Sequence, residues 1–229
     1  MQARVFDFNN ETFAGYFSYA FGIYPETTNP YGDETLADEY SQKMKTLHGG
    51  EFGFLYGKGP ISFRFGMELL APSTLKEIKA TLNGNDVYTI ESDFSAYAPK
   101  AGLEINLVTR PIWRIFAGAS YGVVSASLKN TYSEVSSAPP GDHAVYMKSS
   151  STLIEGYLGG ELYMNDTTTI TVSVGQKNVN FDKWIYSQDT TTFTGAHEKG
   201  DPVLLSDGTA RSFSLSNQFV SIGFRIYLM

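Results

Sequence analysis

Odd and even positions along this chain carry different chemistry. In 61–69 the odd positions are Ile61, Phe63, Phe65, Met67 and Leu69, and the even ones are Ser62, Arg64, Gly66 and Glu68. Successive side chains of a β-strand point to opposite faces, so this alternation predicts a strand with one apolar face and one polar face. Eight segments follow the scheme, at roughly 12–24, 46–57, 61–70, 97–109, 112–126, 151–164, 167–178 and 213–228. The first reads Phe13, Phe17, Tyr19, Phe21 and Ile23 along its apolar stripe, and the last reads Val220, Ile222, Phe224, Ile226 and Leu228. Gly156 and Gly160 dilute the stripe of the sixth, which otherwise carries Ile154, Leu158 and Leu162. Ten charged residues fall inside these segments: Glu51, Arg64, Glu68, Lys100, Glu104, Arg114, Glu155, Glu161, Lys177 and Arg225. Every one lies on the face opposite the apolar stripe.

The connections supply a second pattern. Short turns follow strands two, four and six, at Gly57-Lys58-Gly59-Pro60, Thr109-Arg110-Pro111 and Asn165-Asp166. Long polar excursions follow strands one, three, five and seven, at about 25–45, 71–96, 127–150 and 180–211. Compact soluble domains rarely tolerate such long connections. Asn83-Gly84 and Asp207-Gly208 each sit between extended runs and predict tight hairpin turns. Strands three and four, and seven and eight, are therefore expected to run past the barrel as protruding hairpins.

Two architectures fit eight alternating strands. A soluble ligand-binding barrel would turn its apolar face inward and its charges to water. Its lumen would then have to hold Phe13, Phe17, Phe21, Phe52, Phe54, Phe63, Phe65, Trp113 and Phe224 together. Eight strands enclose too little space for that ring volume and a ligand. The membrane architecture inverts the faces, with apolar side chains on lipid and charges in a narrow lumen. The ten inward charges are five acids and five bases, and in so small a lumen they should pair. That predicts a lumen plugged by ion pairs, with a narrow ion or small-solute pore as the alternative.

Composition agrees with one β domain. The chain has 229 residues, no cysteine, 22 glycines and 14% aromatic residues, yet only 42% hydrophobic residues overall. No apolar run is long enough for a spanning helix. The net charge of −7 and the lack of a basic stripe exclude nucleic acid as a partner. No basic, apolar leader precedes Gln2, so an exported form is expected to have lost its signal peptide already. The acidic excess of the first and last long connections has no calcium-loop spacing, and it reads as ordinary solvation.

These segments, the loop rhythm and the ending Phe219-Val220-Ser221-Ile222-Gly223-Phe224-Arg225-Ile226-Tyr227-Leu228-Met229 give the chain a family likeness. It resembles the small eight-stranded outer-membrane proteins of the OmpA transmembrane domain and OmpX type. Proteins of this kind usually end on an aromatic residue, often Phe, where this chain has Met229. The resemblance implies an all-β, antiparallel up-and-down barrel in a Gram-negative outer membrane, with residues 1–11 as a periplasmic segment and 12–229 as the barrel. It implies contact with outer-membrane lipid and lipopolysaccharide, and roles in envelope integrity, adhesion or host and surface interaction rather than one defined activity.

Catalysis has few candidates. Some barrels of this outline modify lipid A, which needs a histidine with a serine and a carboxylate. Only His48, His143 and His197 are present, with no local His-x-Ser pairing, and only His48 is expected near lipid. The reading is therefore a non-enzyme without cofactor or metal, and a lipid A acyl hydrolase or transferase is a second alternative. The expected function is a monomeric scaffold that displays its outer loops to a host or prey surface protein. Candidate anchors are Tyr88, Phe94, Tyr132, Tyr146, Trp184 and Tyr186, with Tyr31, Tyr40 and Phe193 beside them, since Tyr and Trp favour interfaces. Exposed hairpin edges are a further expected docking feature.

Overall fold

A computed structural model of the chain describes residues 8, 13–28, 37–42, 44–72, 75–135, 142–192, 195–205 and 208–228. Eight long strands close into a ring: β1 Phe13–Thr28, β2 Met44–Lys58, β3 Ile61–Pro72, β4 Asn85–Thr109, β5 Trp113–Glu134, β6 His143–Asn165, β7 Thr168–Phe181 and β8 Asn217–Tyr227. Each pairs antiparallel with its sequence neighbour, and β8 pairs with β1 from Ala14↔Tyr227 to Ile23↔Gln218. The architecture is an up-and-down barrel with no free edge in the wall. At one end the turns are short: Lys58 pairs with Ile61 around Gly59-Pro60, and Asn165 pairs with Thr168. The long connections all lie at the other, outer end.

The alternation places the side chains as their chemistry requires. Phe17, Phe52, Phe65, Leu103, Tyr121, Leu158, Val172 and Phe224 are among the large apolar residues exposed on the outside. On β5 the outward apolar run extends from Trp113 to Val123. At about 3.3 Å per residue and a tilt near 40° this makes a belt roughly 25 Å tall, the height expected of an outer-membrane barrel.

Inside, glycines make room for rings. A Cβ on Gly66 would stand 2.1 Å from the Tyr16 hydroxyl oxygen, and one on Gly118 would stand 2.3 Å from the Tyr157 ring. The Tyr157 ring thus lies over its own cross-strand partner Gly118, and the Tyr16 side chain reaches across Gly53 to Gly66 two strands away.

Three strands outrun the membrane. β4, β5 and β6 have 25, 22 and 23 residues, about twice the roughly 9–11 that a tilted spanning strand needs. Above Val123 the polarity of the two faces reverses. Outward positions become polar, as at Asp93, Ser127 and Lys148, while inward ones become apolar, as at Phe94, Leu128 and Met147. These inward residues join Leu70, Ile78, Ile90, Leu153, Phe181, Trp184, Val203, Phe213 and Leu215 in one continuous core. The outer extension is thus an ordinary water-soluble fold standing on an inside-out barrel.

The predicted hairpins divide. Asn83-Gly84 makes a two-residue turn with φ of 52° and 80°, closing Leu75–Leu82 onto β4. Positive φ at both positions marks the turn type that Asn-Gly favours. Gly208 also has positive φ, and the bridge Leu204↔Ala210 closes a small turn there, with Asp207 outside the described residues. That turn does not prolong β7 and β8, which share only Phe181↔Phe213 and Asn180↔Ser214 beyond the main ladder. The described residues of 184–192 and 195–203 instead fold inward, because Trp184, Tyr186 and Val203 are apolar enough to cap the core. The protrusion comes from β5 and β6, which run through most of the connection expected at 127–150.

Two substitutions test this packing. Gly118→Leu should destabilise the folded barrel by about 1–3 kcal/mol through overpacking against Tyr157, read by urea titration in lipid vesicles. Trp184→Ala should cost the extension about 3–5 kcal/mol and expose its strands to protease, leaving the membrane-embedded part resistant.

Candidate functional site

All ten sequence-selected charges lie inside the barrel and are buried. β2 supplies Glu51, β3 Arg64 and Glu68, β4 Lys100 and Glu104, β5 Arg114, β6 Glu155 and Glu161, β7 Lys177 and β8 Arg225. They form one connected chain in which the sign alternates at every link. At its outer end Lys177 contacts Glu68 and sits 3.6 Å from Glu155. Lys100 Nζ then lies 2.8 Å from Glu51, 3.0 Å from Glu68 and 3.0 Å from Glu155.

Arg64 carries the chain onward. It grips Glu51 in a fork, Nε to Oε1 at 3.1 Å and Nη2 to Oε2 at 2.8 Å, and reaches Glu104 at 3.2 Å through Nη1. Arg225 bridges Glu104 at 2.8 Å and Glu161 at 2.9 Å, and Arg114 closes on Glu161 at 2.6 Å. Four cations also face rings. Arg64 lies over Tyr16 at 4.3 Å, Arg225 over Phe116 at 4.7 Å, Arg114 over Phe8 at 5.0 Å and Lys177 over Phe219 at 5.3 Å.

Hydroxyl groups complete the coordination, and alternation alone did not single them out. Tyr16 donates to Glu51, Tyr157 donates to Glu104 at 3.0 Å, and Tyr227 donates to Glu161 at 2.7 Å. Thr169 donates to Glu161 at 2.5 Å. The signal for them was present: each occupies an inward position of its strand, where a phenol or hydroxyl must find a partner once buried.

The remaining space is minimal. Between Ser18, Glu51, Glu68, Glu155, Lys177 and Ser221 lies a cavity of about 10 Å³, close to the least that holds one water. Phe8, from the segment expected to be periplasmic, packs with Ala14, Leu55 and Tyr227 at the short-turn mouth. The apolar core of the extension covers the other end. Ring, charge ladder and apolar core follow one another along the lumen.

The aromatic anchors expected in the loops are corrected by their burial. Tyr88, Phe94, Tyr132, Trp184 and Tyr186 are all buried. Tyr146 is half-buried beneath Lys129, whose Nζ lies 5.6 Å from its ring. The reason is the reversed polarity above the belt, which turns aromatic positions inward to build a core. Tyr40 is half-buried as well, and Tyr31 and Phe193 lie outside the described residues. The hairpin edges are also occupied. Glu39–Tyr40 pairs with the strand Leu75–Leu82, and Ile185–Tyr186 pairs with β6.

Of the histidines, His48 sits on the lipid-facing side, 2.5 Å from the Tyr19 hydroxyl. His143 stacks on Tyr132 and His197 on Tyr186. On the outer hairpin Lys79 is hydrogen-bonded to Asp86 at 2.8 Å, which holds its pKa above the ordinary lysine value.

No family model and no curated protein sequence matches this chain. Solved structures do match. Neisserial surface protein A aligns with a TM-score of 0.51 at 10% identity, over 94% of this chain and 97% of its own. A major outer membrane protein from Thermus thermophilus aligns with a TM-score of 0.50 at 8% identity, over 93% of this chain and 99% of its own. The fold is that of the small outer-membrane β-barrel proteins. At such low identity the likeness is one of fold, and with the apolar belt it indicates a bacterial outer-membrane location. Outer-membrane protein OprG from Pseudomonas aeruginosa also aligns, at a TM-score of 0.49 and 12% identity, over 95% of this chain and 96% of its own.

Arg225 joins two carboxylates, so Arg225→Met should leave Glu104 and Glu161 short of charge. Removing one partner of a buried pair costs about 3–5 kcal/mol. The expected result is a matching loss in the free energy of unfolding from vesicles, measured by tryptophan fluorescence in urea.

Proposed function

We propose that this outer-membrane barrel is a closed scaffold whose working part is the outer extension. The observation that supports this reading is the unbroken alternation of ten buried charges with room for about one water. An ion entering the lumen would have to break pairs that no water replaces, and such buried pairs are costly to separate. The barrel then serves as a rigid foundation, and the extension it carries stands clear of the lipid. The polar outer wall of the extension, with Glu91, Asp93, Ser95 and Ser127 exposed, is the surface available for envelope contacts, adhesion or a protein partner. No catalytic role enters this reading.

Planar lipid bilayers give the test. Protein shown to be inserted should produce no steady current steps. Reproducible steps that change size with Arg64→Ala would replace the closed scaffold by a narrow pore.

A further inference from the structure

The ladder between β6 and β7 stops short of the outer end. Pairing ends at Leu153↔Val179. Two residues later Phe181 is fully buried and still paired with Phe213 on its other edge, so β7 keeps its β8-side ladder while its bonds to β6 lapse. The chain runs on alongside β6, which is paired again, one residue out of register, at Ile185↔Lys148 and Tyr186↔Met147. Between these points Ser149-Ser150-Ser151-Thr152 have no ladder partner on this edge among the described residues. Two of their hydroxyls span the gap. Ser149 donates to the Lys183 carbonyl at 2.6 Å, and Ser151 donates to the Asn180 carbonyl.

The gap is a notch in the outside wall. It holds a cleft of about 580 Å³ bordered by Ser151, Asn178, Asn180 and Asp182. A second cleft beside it, of about 380 Å³, is bordered by Lys148 and Ser149. Both share Ser150 and Lys183. Lys148 and Lys183 are exposed, and among the described residues neither makes an ion pair. The exposed lysines of the outer hairpin behave differently: Lys76 is paired with Glu91 at 3.2 Å and Lys79 with Asp86 at 2.8 Å. With Asp182 counted, the notch keeps a positive excess in a chain of net charge −7.

Its height and its floor identify the ligand chemistry. The notch opens where the apolar belt ends, one outward step above Ile154 on β6 and beside Val123 on β5. Val123 and Ile154 line the first cleft, and Tyr97 and Ile185 line the second. The site is therefore apolar below, and above it offers ammonium, hydroxyl and amide donors at the level of lipid headgroups. Lysines and hydroxyls suit phosphate oxygens, and an apolar floor suits acyl chains rather than a free anion.

We infer that this notch binds the phosphorylated headgroup of an outer-leaflet glycolipid, with Lys148 and Lys183 on a phosphate and the acyl chains on Val123 and Ile154. The site is independent of the closed lumen, since it lies wholly on the outside wall.

Native mass spectrometry of the detergent-solubilised protein tests it, with bis-phosphorylated lipid A, dephosphorylated lipid A and inorganic phosphate as probes. The wild type should retain bis-phosphorylated lipid A in preference to the dephosphorylated form. The double variant Lys148→Gln/Lys183→Gln should bind it about tenfold or more weakly, as expected for the loss of two charge-assisted contacts. Lys148→Arg/Lys183→Arg should restore binding, and Lys76→Gln/Lys79→Gln should leave it unchanged. Equal retention by the glutamine variant, or equal binding of dephosphorylated lipid A, would overturn the assignment. Displacement of lipid A by millimolar inorganic phosphate alone would also overturn it, giving the site to the free anion. All four substituted residues are exposed, and unchanged circular dichroism checks that each variant is folded.

Discussion

The desolvation of charge governs this molecule. Ten ionised side chains have been taken out of water, and each is tolerable only because opposite charges and phenols surround it. That requirement fixes the register of the wall, because Arg64 must reach β2 and β4 at once while Arg225 joins β4 to β6 across the lumen. It also accounts for the glycines, which clear space for the phenols that coordinate the carboxylates. A one-residue slip of any strand would turn its charges to lipid and break the chain of pairs.

The hydrophobic effect works in a second place, above the membrane. Within the belt apolar side chains face lipid, so their burial does little to hold strand to strand. In the extension the same alternation meets water on the outside, and apolar residues collapse inward around Phe94, Phe181, Trp184 and Phe213, whose rings lie 5.2–6.4 Å apart. The protein thus joins two cores of opposite character along the same three strands. The polar one sits in lipid and the apolar one sits in water.

Strands such as β3 and β8 were legible from alternation because one face meets lipid and the other meets charge. The membership of the charge ladder was readable for the same reason: parity alone assigns Glu104 and Arg225 to the lumen. The pairing order was not readable, because it depends on which strands face one another across the barrel. The outer extension is hidden because Ser149, Ser150 and the polar positions of 127–133 look like loop sequence. In space they are strand positions whose outward face meets water. Trp184 and Tyr186 look like exposed anchors, since nothing local indicates that they and Val203 are buried in the core over the barrel mouth. The notch beside Lys183 is equally hidden, because it arises from a gap in the ladder between β6 and the chain after Val179.

The belt has sharp edges, and they tie the protein to one kind of bilayer. Its outward apolar run is roughly 25 Å tall, whereas an average hydrocarbon core is about 30 Å thick. Mismatch costs a fraction of a kcal/mol for each ångström, and bacterial outer membranes are thinner than average. A closed barrel braced by internal ion pairs has little freedom to stretch. In a thicker membrane the lipid itself would have to thin around it, so the belt acts as a gauge that favours the thinner of a bacterium's two membranes.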